Sequence, residues 1–401
     1  MIQASRLVRD WRLDSHRTLA DLTEGLRAGH IRPHEFSLRD LACNLIEAAG
    51  GSIGWDGLRA LEARSDSMRL LEATGAISTS AFRLVSQRIV DAAVMEGARL
   101  PDTVLSQVLP VVEGRKRRSE FPSPTIPLEQ GKNARDIQES QEYPILGIYG
   151  ERIKNLPTRK KGFQLPITRE AILEDDTGTL LQAARDAGAA IARMKEDLIC
   201  DMVAGLIPNC VIEQRVGDTG DVTSNLFLTS GRWVNSHTNA LTDWTDLDDA
   251  INLLIANTIP GTNGPAVLLQ RHMLVPEQRR SLAYRILNAI ETRSGSGSNT
   301  VVAGNPYSGQ GGTPGVTLLV SPHLYSRQIA AGVTQANATG TWYFGDLTQA
   351  WRYYQLWPIE VNEEQSPSQR YTHDIWVRYS VSECGVPVCV QPRVWGRNLP
   401  S

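Results

Sequence analysis

No stretch of this chain approaches the ~20 consecutive apolar residues that a membrane-spanning helix needs. The opening MIQASRLVRDW is amphipathic and lacks the apolar core of a secretory signal. Catalytic signatures are equally scarce. There is no HExxH, and Gly131-Lys132 has no glycine five residues earlier, so it is not a phosphate-binding loop. Cysteine is sparse and odd in number: Cys43, Cys200, Cys210, Cys384 and Cys389, with no CxxC pair. That argues against a disulfide framework and predicts small buried hydrophobes in a chain made in a reducing cytoplasm. His30 and His34 are four apart, but Pro33 between them spoils a one-face helical pair, and no metal site is expected. The formal net charge of −3 supplies no global attraction for nucleic acid. No cofactor is implied.

What the chain does have is pattern. Its 401 residues are enough for two or three domains, and 41% apolar with 21% charged residues fits a globular protein. Residues 163–199 carry the strongest signal. A short strand with basic flanks runs into Glu174-Asp175-Asp176, and then into a helix of about 25 residues, ~38 Å long. Leu180, Ala184, Ala187, Ile191, Met194 and Leu198 are spaced alternately four and three, which predicts one continuous apolar stripe. The three acidic residues read either as catalytic carboxylates or, more simply, as groups complementing the dipole at the helix start.

Elsewhere the N-terminal 75 residues have helical spacing. Ser37 caps a helix with Leu38, Leu41 and Leu45 inward, ended by Gly50-Gly51, and a second helix runs from Asp56 to Thr74. A third spans residues 79–98, with Phe82, Val85 and Ile89 on one face and Pro101 closing it. The basic, then proline-rich run EGRKRRSEFPSPTIP (113–127) is expected to be extended and largely without helix. Residues 135–170 read as a long two-stranded excursion with its tip near Asn155 to Lys161, its Ile145, Ile148 and Ile153 needing a partner surface.

After the long helix, residues 206–340 read as mixed helix and strand. Helices are predicted at Asp246 to Asn257 and Pro276 to Thr292, and buried strands at Pro265 to Gln270 and Val316 to Val320. Between them, 294–315 reads as a flexible glycine-rich loop. Its Gly309-Gln310-Gly311-Gly312-Thr313-Pro314-Gly315 run lacks a Gly-Lys-Ser/Thr ending and precedes a strand, against a phosphate cradle. An aromatic cluster at 342–357 predicts core packing. Alternation at Ile375, Val377, Tyr379 and Val381, and again at Val386, Val388 and Val390, predicts a hairpin turning at Glu383 to Gly385. The runs Arg115-Lys116-Arg117-Arg118 and Arg159-Lys160-Lys161 are candidate contacts to a neighbouring chain, or solvated faces.

The order of these elements, with the phrases LPITREAILEDDTGTLLQAARDAG (165–188), WPIEVNEEQSPSQRYTHDIWVRYSVSECGVPVCVQPR (357–393) and ISTSAFRLVSQRIVDAAV (77–94), resembles the major capsid protein of tailed bacteriophages. That resemblance implies an α+β fold of the Hong Kong 97 type and no enzymatic activity. It implies a helical N-terminal segment at 1–76, which does not match the family core, and an N-terminal arm at 77–134. An extended E-loop at 135–170 and a peripheral (P) domain spine helix at 171–205 follow. Residues 206–340 would be mostly axial (A) domain with a return to the P domain, and 341–401 an aromatic segment and P-domain hairpin. It implies self-assembly into hexamers and pentamers of an icosahedral shell around double-stranded DNA, touched non-specifically, in a virion assembled in the bacterial cytoplasm. Scaffold, portal and cement proteins are further implied partners, and a membrane is not. Arg159, Lys160 and Lys161 would meet a neighbour from the E-loop tip, Arg115 to Arg118 would be an arm contact, and Gly309, Gly311 and Gly312 would lie at the ring axis. Some relatives weld subunits through a Lys–Asn bond. Lys154, Lys160 or Lys161 would supply the amine, with no matching Asn or Glu evident. The rival readings are a host nanocompartment shell of the same fold and a soluble α/β enzyme.

Overall fold

The computed structural model describes residues 10, 15–28, 30–31, 79–114, 116, 120–122, 139, 151–168, 177–208, 211–215, 222–259, 265–289, 291–296, 299–305, 307, 315–364 and 375–400. The first described elements are α1 (Ser15–Arg27), α2 (Thr79–Ala98), α3 (Val104–Val108), β1 (Val111–Glu113), β2 (Glu120–Pro122), β3 (Glu151–Lys154) and β4 (Arg159–Thr168). The long helix α4 (Thr177–Val203) precedes β5 (Val211–Arg215), β6 (Val222–Ser224), β7 (Ser236–Thr238), α5 (Thr245–Ile255), β8 (Arg271–Pro276) and α6 (Arg280–Asn288). Then come β9 (Glu291–Ser296), β10 (Asn299–Gly304), β11 (Val316–Ser321), α7 (Pro322–Ala330), α8 (Gln335–Gly340), β12 (Trp342–Gly345) and α9 (Leu347–Ala350). Three strands end the chain: β13 (Trp351–Glu364), β14 (Ile375–Cys389) and β15 (Trp395–Leu399). The chain divides into two compact units. One comprises residues 1–100, 160–192 and 357–384, and the other 101–159, 193–356 and 385–401.

In the first unit, α2 buries Val85, Ile89, Val90, Ala93 and Val94 along one face. Glycine lets α2 and the first part of α4 touch backbone to backbone. A Cβ on Gly188 would stand 2.1 Å from the Val94 carbonyl oxygen, and one on Gly97 would stand 2.0 Å from that of Arg185. Neither approach is open to any residue with a side chain. Two polar bonds fix α2 against the strands: Ser86 Oγ lies 2.7 Å from Tyr379 Oη, and Gln87 Nε2 donates to the Val361 carbonyl at 3.0 Å. In the sheet order, β14 lies between β13 and β4.

The second unit is built on a five-stranded sheet ordered β11-β8-β12-β15-β7. Strand alternation divides its core in two. Met273, Val275, Trp342 and Phe344 face Leu247, Ile251 and Leu254 of α5 and Ala283, Ile286 and Leu287 of α6. Leu274, Leu319, Tyr343 and Trp395 face Ile199, Met202 and Val203 of α4 and Leu324 of α7. The sheet is thus covered by helices on both faces, and Trp233, Trp342, Trp351 and Trp395 are all buried. In the same unit β1 pairs in parallel with the start of β13, Val111 opposite Tyr353. A separate four-stranded sheet runs β2-β3-β5-β6.

Several expectations are corrected by this architecture. The hairpin expected to turn near Asn155 to Lys161 is not formed by β3 and β4. β3 bonds to β2 and β5, whereas β4 lies beside β14. No hairpin turns at Glu383 to Gly385, because β14 runs straight through those residues. Gly385 is there because the Tyr353 hydroxyl sits 2.6 Å from where its Cβ would be. Pro265 to Gln270 is a loop rather than a buried strand, and the strand is the following RHMLVP. The helix expected to reach Thr292 ends at Asn288, and Thr292 already belongs to β9. The glycine-rich segment is partly an antiparallel ladder, β9 with β10, from Ser296↔Asn299 to Glu291↔Gly304. On α4 the stripe drifts from its expected phase. Leu180, Ala184 and Ile191 are buried, Met194 is 53% exposed, and Glu196 is fully buried. The expected helices at 38–50 and 56–74, the acidic run 174–176, Ile145, Ile148 and the Phe82 side chain lie outside the described residues.

Candidate assembly interface

The basic trio proposed for contact with a neighbour opens β4. Arg159 and Lys160 are exposed and Lys161 is half-buried. The residues before it do not project. Asn155 and Thr158 are buried, and Asn155 is bonded on both sides to the backbone of Cys389, donating to its oxygen at 3.0 Å and accepting from its nitrogen at 3.0 Å. The trio therefore starts a strand from a fixed base. Of the other basic run, Lys116 is described and exposed, and its carbonyl accepts from Tyr354 Oη at 3.0 Å; Arg115, Arg117 and Arg118 lie outside the described residues. Gly309, Gly311 and Gly312 lie outside them too, so the ring-axis assignment has no geometry.

Sequence reasoning missed a polar cluster around α4. Glu196 is a fully buried carboxylate, and its two oxygens accept from the backbone nitrogens of Leu105 (2.7 Å) and Ser106 (2.8 Å) at the start of α3. The residue before that helix, Thr103, makes no side-chain cap, so a carboxylate 90 residues away does the capping. Burial pushes the Glu196 carboxyl above the ordinary carboxylate range, opposed by those two N–H bonds. Around it, His323 Nδ1 lies 2.9 Å from Asp197 and its Nε2 3.6 Å from Asp102, which also meets Arg193 at 3.6 Å. Arg327 Nε donates to Asp201 at 2.8 Å, and its Nη2 bonds the other oxygen, a two-pronged ion pair. One signal was legible: Lys195, Glu196, Asp197 and Asp201 crowd charge into the last turns of the helix.

These charges bond to one another and to backbone, so the cluster fastens α3 and α7 to α4. Among the described residues no group of three or more His, Cys, Asp and Glu is arranged to hold a metal, and no described helix is long and apolar enough to cross a membrane. The surface offers a different kind of feature. Val267 is 57% exposed and Leu269 76% exposed, both in the loop before β8.

The fold is mixed helix and sheet, and the charges around α4 serve to fasten its helices. The family model described as phage capsid protein matches residues 154–383, more than half of the chain, and this chain belongs to that family. No curated protein matches it. Among solved structures it is similar to a virus-like particle from Pyrococcus furiosus, with 13% identity, 77% of this chain and 96% of that chain covered, and a TM-score of 0.37. It is also similar to the capsid of an empty GTA particle, with 12% identity, coverage of 75% and 91%, and a TM-score of 0.42. Gordonia phage Cozz follows with 13% identity, coverage of 75% and 87%, and a TM-score of 0.42.

Proposed function

We propose that this chain is the shell subunit of a tailed-phage head. It assembles into hexamers and pentamers that tile an icosahedral capsid around double-stranded DNA, and it catalyses no reaction. The observation that carries this reading is the family match over 154–383, which takes in β4, all of α4 and four of the five strands of the helix-covered sheet. Within the Hong Kong 97 arrangement, α2 belongs to the arm at 77–134, β3 and β4 to the E-loop region at 135–170, and α4 is the spine. Residues 206–340 form most of the axial domain with a return to the peripheral domain, and 341–401 an aromatic segment and strands of the peripheral domain. Arg159, Lys160 and Lys161 meet carboxylates of an adjacent subunit from the base of β4, giving orientation and register more than affinity. Arg115 to Arg118 contact a neighbour from the arm, and Gly309, Gly311 and Gly312 face the ring axis. Many modest contacts repeated around a closed shell give collective stability. The slight net acidity suits a container, since a strongly basic lining would hold phosphates and impede loading and release. Assembly takes place in the host cytoplasm, with scaffold, portal and cement proteins as further partners.

Electron microscopy of the chain expressed alone tests the reading. Closed shells, tubes or rings are expected, and a monodisperse monomer near 44 kDa at high concentration would sink it. Nuclease-resistant DNA in particles from infected cells separates a phage head from a nanocompartment shell.

A further inference from the structure

The loop from Pro265 to Gln270 holds two large apolar side chains in water on a fixed backbone. Its residues alternate: Ala266 is buried and Leu268 packs against both core clusters of the second unit, whereas Val267 and Leu269 point out at 57% and 76% exposure. Four hydrogen bonds tie the backbone. The amides of Leu269 and Gln270 donate to Asp346 Oδ2 at 3.0 and 2.8 Å, and Gln349 Nε2 reaches the Val267 carbonyl at 3.4 Å. Ala266 donates to the Asn257 carbonyl at 2.9 Å, and Pro265 bridges to Thr258. Asp346 is itself fully buried and held by the Gln349 amide and the Thr348 hydroxyl. A buried carboxylate thus fixes the loop that displays the two apolar groups.

We infer that Val267 and Leu269 form a preformed apolar ridge that docks on a second copy of this chain. The inference rests on the shell reading above and names one of its contacts. From Ala250 through Gln270 the chain has no Asp, Glu, Lys or Arg. A phosphate backbone has nothing to bind there, whereas charge depletion around apolar groups is the composition of a protein–protein contact centre. A fixed loop also loses little conformational freedom on binding. Contacts around a ring are heterologous, so each chain must carry both the ridge and a different patch that receives it. The second unit has exposed apolar candidates for the receiving patch in Tyr284 on α6, 63% exposed, and Ile329 on α7, 40% exposed.

The test compares the wild-type chain with Val267→Asp/Leu269→Asp and with the milder Val267→Ser/Leu269→Ser. Thermal melting is read on unassembled subunits, and assembly is read by sedimentation and electron microscopy over a concentration series. Both pairs are expected to melt like wild type, because these side chains touch little within the subunit. Both should raise the half-assembly concentration at least tenfold, the Asp pair more. If the Asp pair does not fold, the Ser pair decides alone. Wild-type assembly with folded variants assembling at the same concentration overturns the ridge and leaves the shell reading standing. A wild-type chain that never assembles overturns both.

Discussion

The side chain of Asn155 pairs with the backbone of Cys389 as a neighbouring strand would, donating to its carbonyl and accepting from its amide, each at 3.0 Å. It fastens the connection after β3 to the end of β14 and so fixes the chain just before Arg159. Asn155→Ala should destabilise the chain by about 1–3 kcal/mol, the usual cost of leaving buried partners unpaired. Asn155→Asp should cost more, since a carboxylate cannot donate to the Cys389 oxygen. Chemical denaturation of the two variants checks both the size and the order.

Glu196 makes stability depend on pH in a defined direction. Its carboxyl is raised by burial, so the folded state holds the proton more tightly than the unfolded state does. Its contribution is then fully favourable below the ordinary carboxylate value and is lost as pH rises toward the raised folded value. Subtracting the denaturation free energy of Glu196→Gln from that of wild type should give a difference that falls with rising pH across that window and is flat beyond it. A difference rising with pH would contradict the burial argument. Glu196→Ala, which strips the acceptors from Leu105 and Ser106, should cost about 1–3 kcal/mol through the two orphaned amides.

Gly188→Ala and Gly97→Ala each drive a methyl into a carbonyl oxygen of the facing helix. Alanine gains about 1 kcal/mol of helix propensity at an interior position, but overpacking of this kind costs about 1–3 kcal/mol. The clash is with backbone, which has no rotamer to relieve it, so both variants should lower the melting temperature. Gly178→Ala, on the same helix with open space around its Cβ position, is the control and should not lower it.

Fold and assembly should separate cleanly at two other sites. Ile191 is buried, so Ile191→Asp should abolish the cooperative melt outright. Lys160→Glu with Lys161→Glu alters the opening of β4, where Lys160 is exposed and Lys161 half-buried, and should leave the melt close to wild type while weakening particle formation. Light scattering at several salt concentrations reads the second effect, which should shrink as salt rises if the contact is electrostatic.

Much of the fold could be read from spacing, and the failures have physical causes. The helices α2, α4 and α5 were legible because each keeps one apolar face over three or more turns, as Leu247, Ile251 and Leu254 do on α5. The phase of α4 was not fully legible, because two of its inward residues are inward for reasons hydrophobicity does not register. Gly188 faces a helix that comes too close for a side chain, and Glu196 is buried to cap α3. PAVLLQ looked like a core strand from composition alone, yet its amides are spent on Asp346, a partner 76 or more residues away. The strand that follows begins with Arg271 and His272, which disguised it. Alternation in β14 was visible, but alternation is the same for one long strand as for two short ones, and the glycine that suggested a turn answers to the ring of Tyr353. Of the candidate contacts, the charged runs were easy to see, whereas the apolar ridge was hidden among residues assigned to the interior.

The three described cysteines are all enclosed by the fold. Cys200, Cys384 and Cys389 are buried, and burial beside Asp201, Glu196 and Asp197 pushes the Cys200 thiol well up. Thiolate is the form that attacks disulfides and is oxidised, and here it is suppressed as well as enclosed. On the shell reading proposed above, a container made in a reducing host and then released into aerated surroundings gains shelf life from this. At these positions it offers no handle for scrambling, cross-linking or slow oxidative ageing between one host and the next.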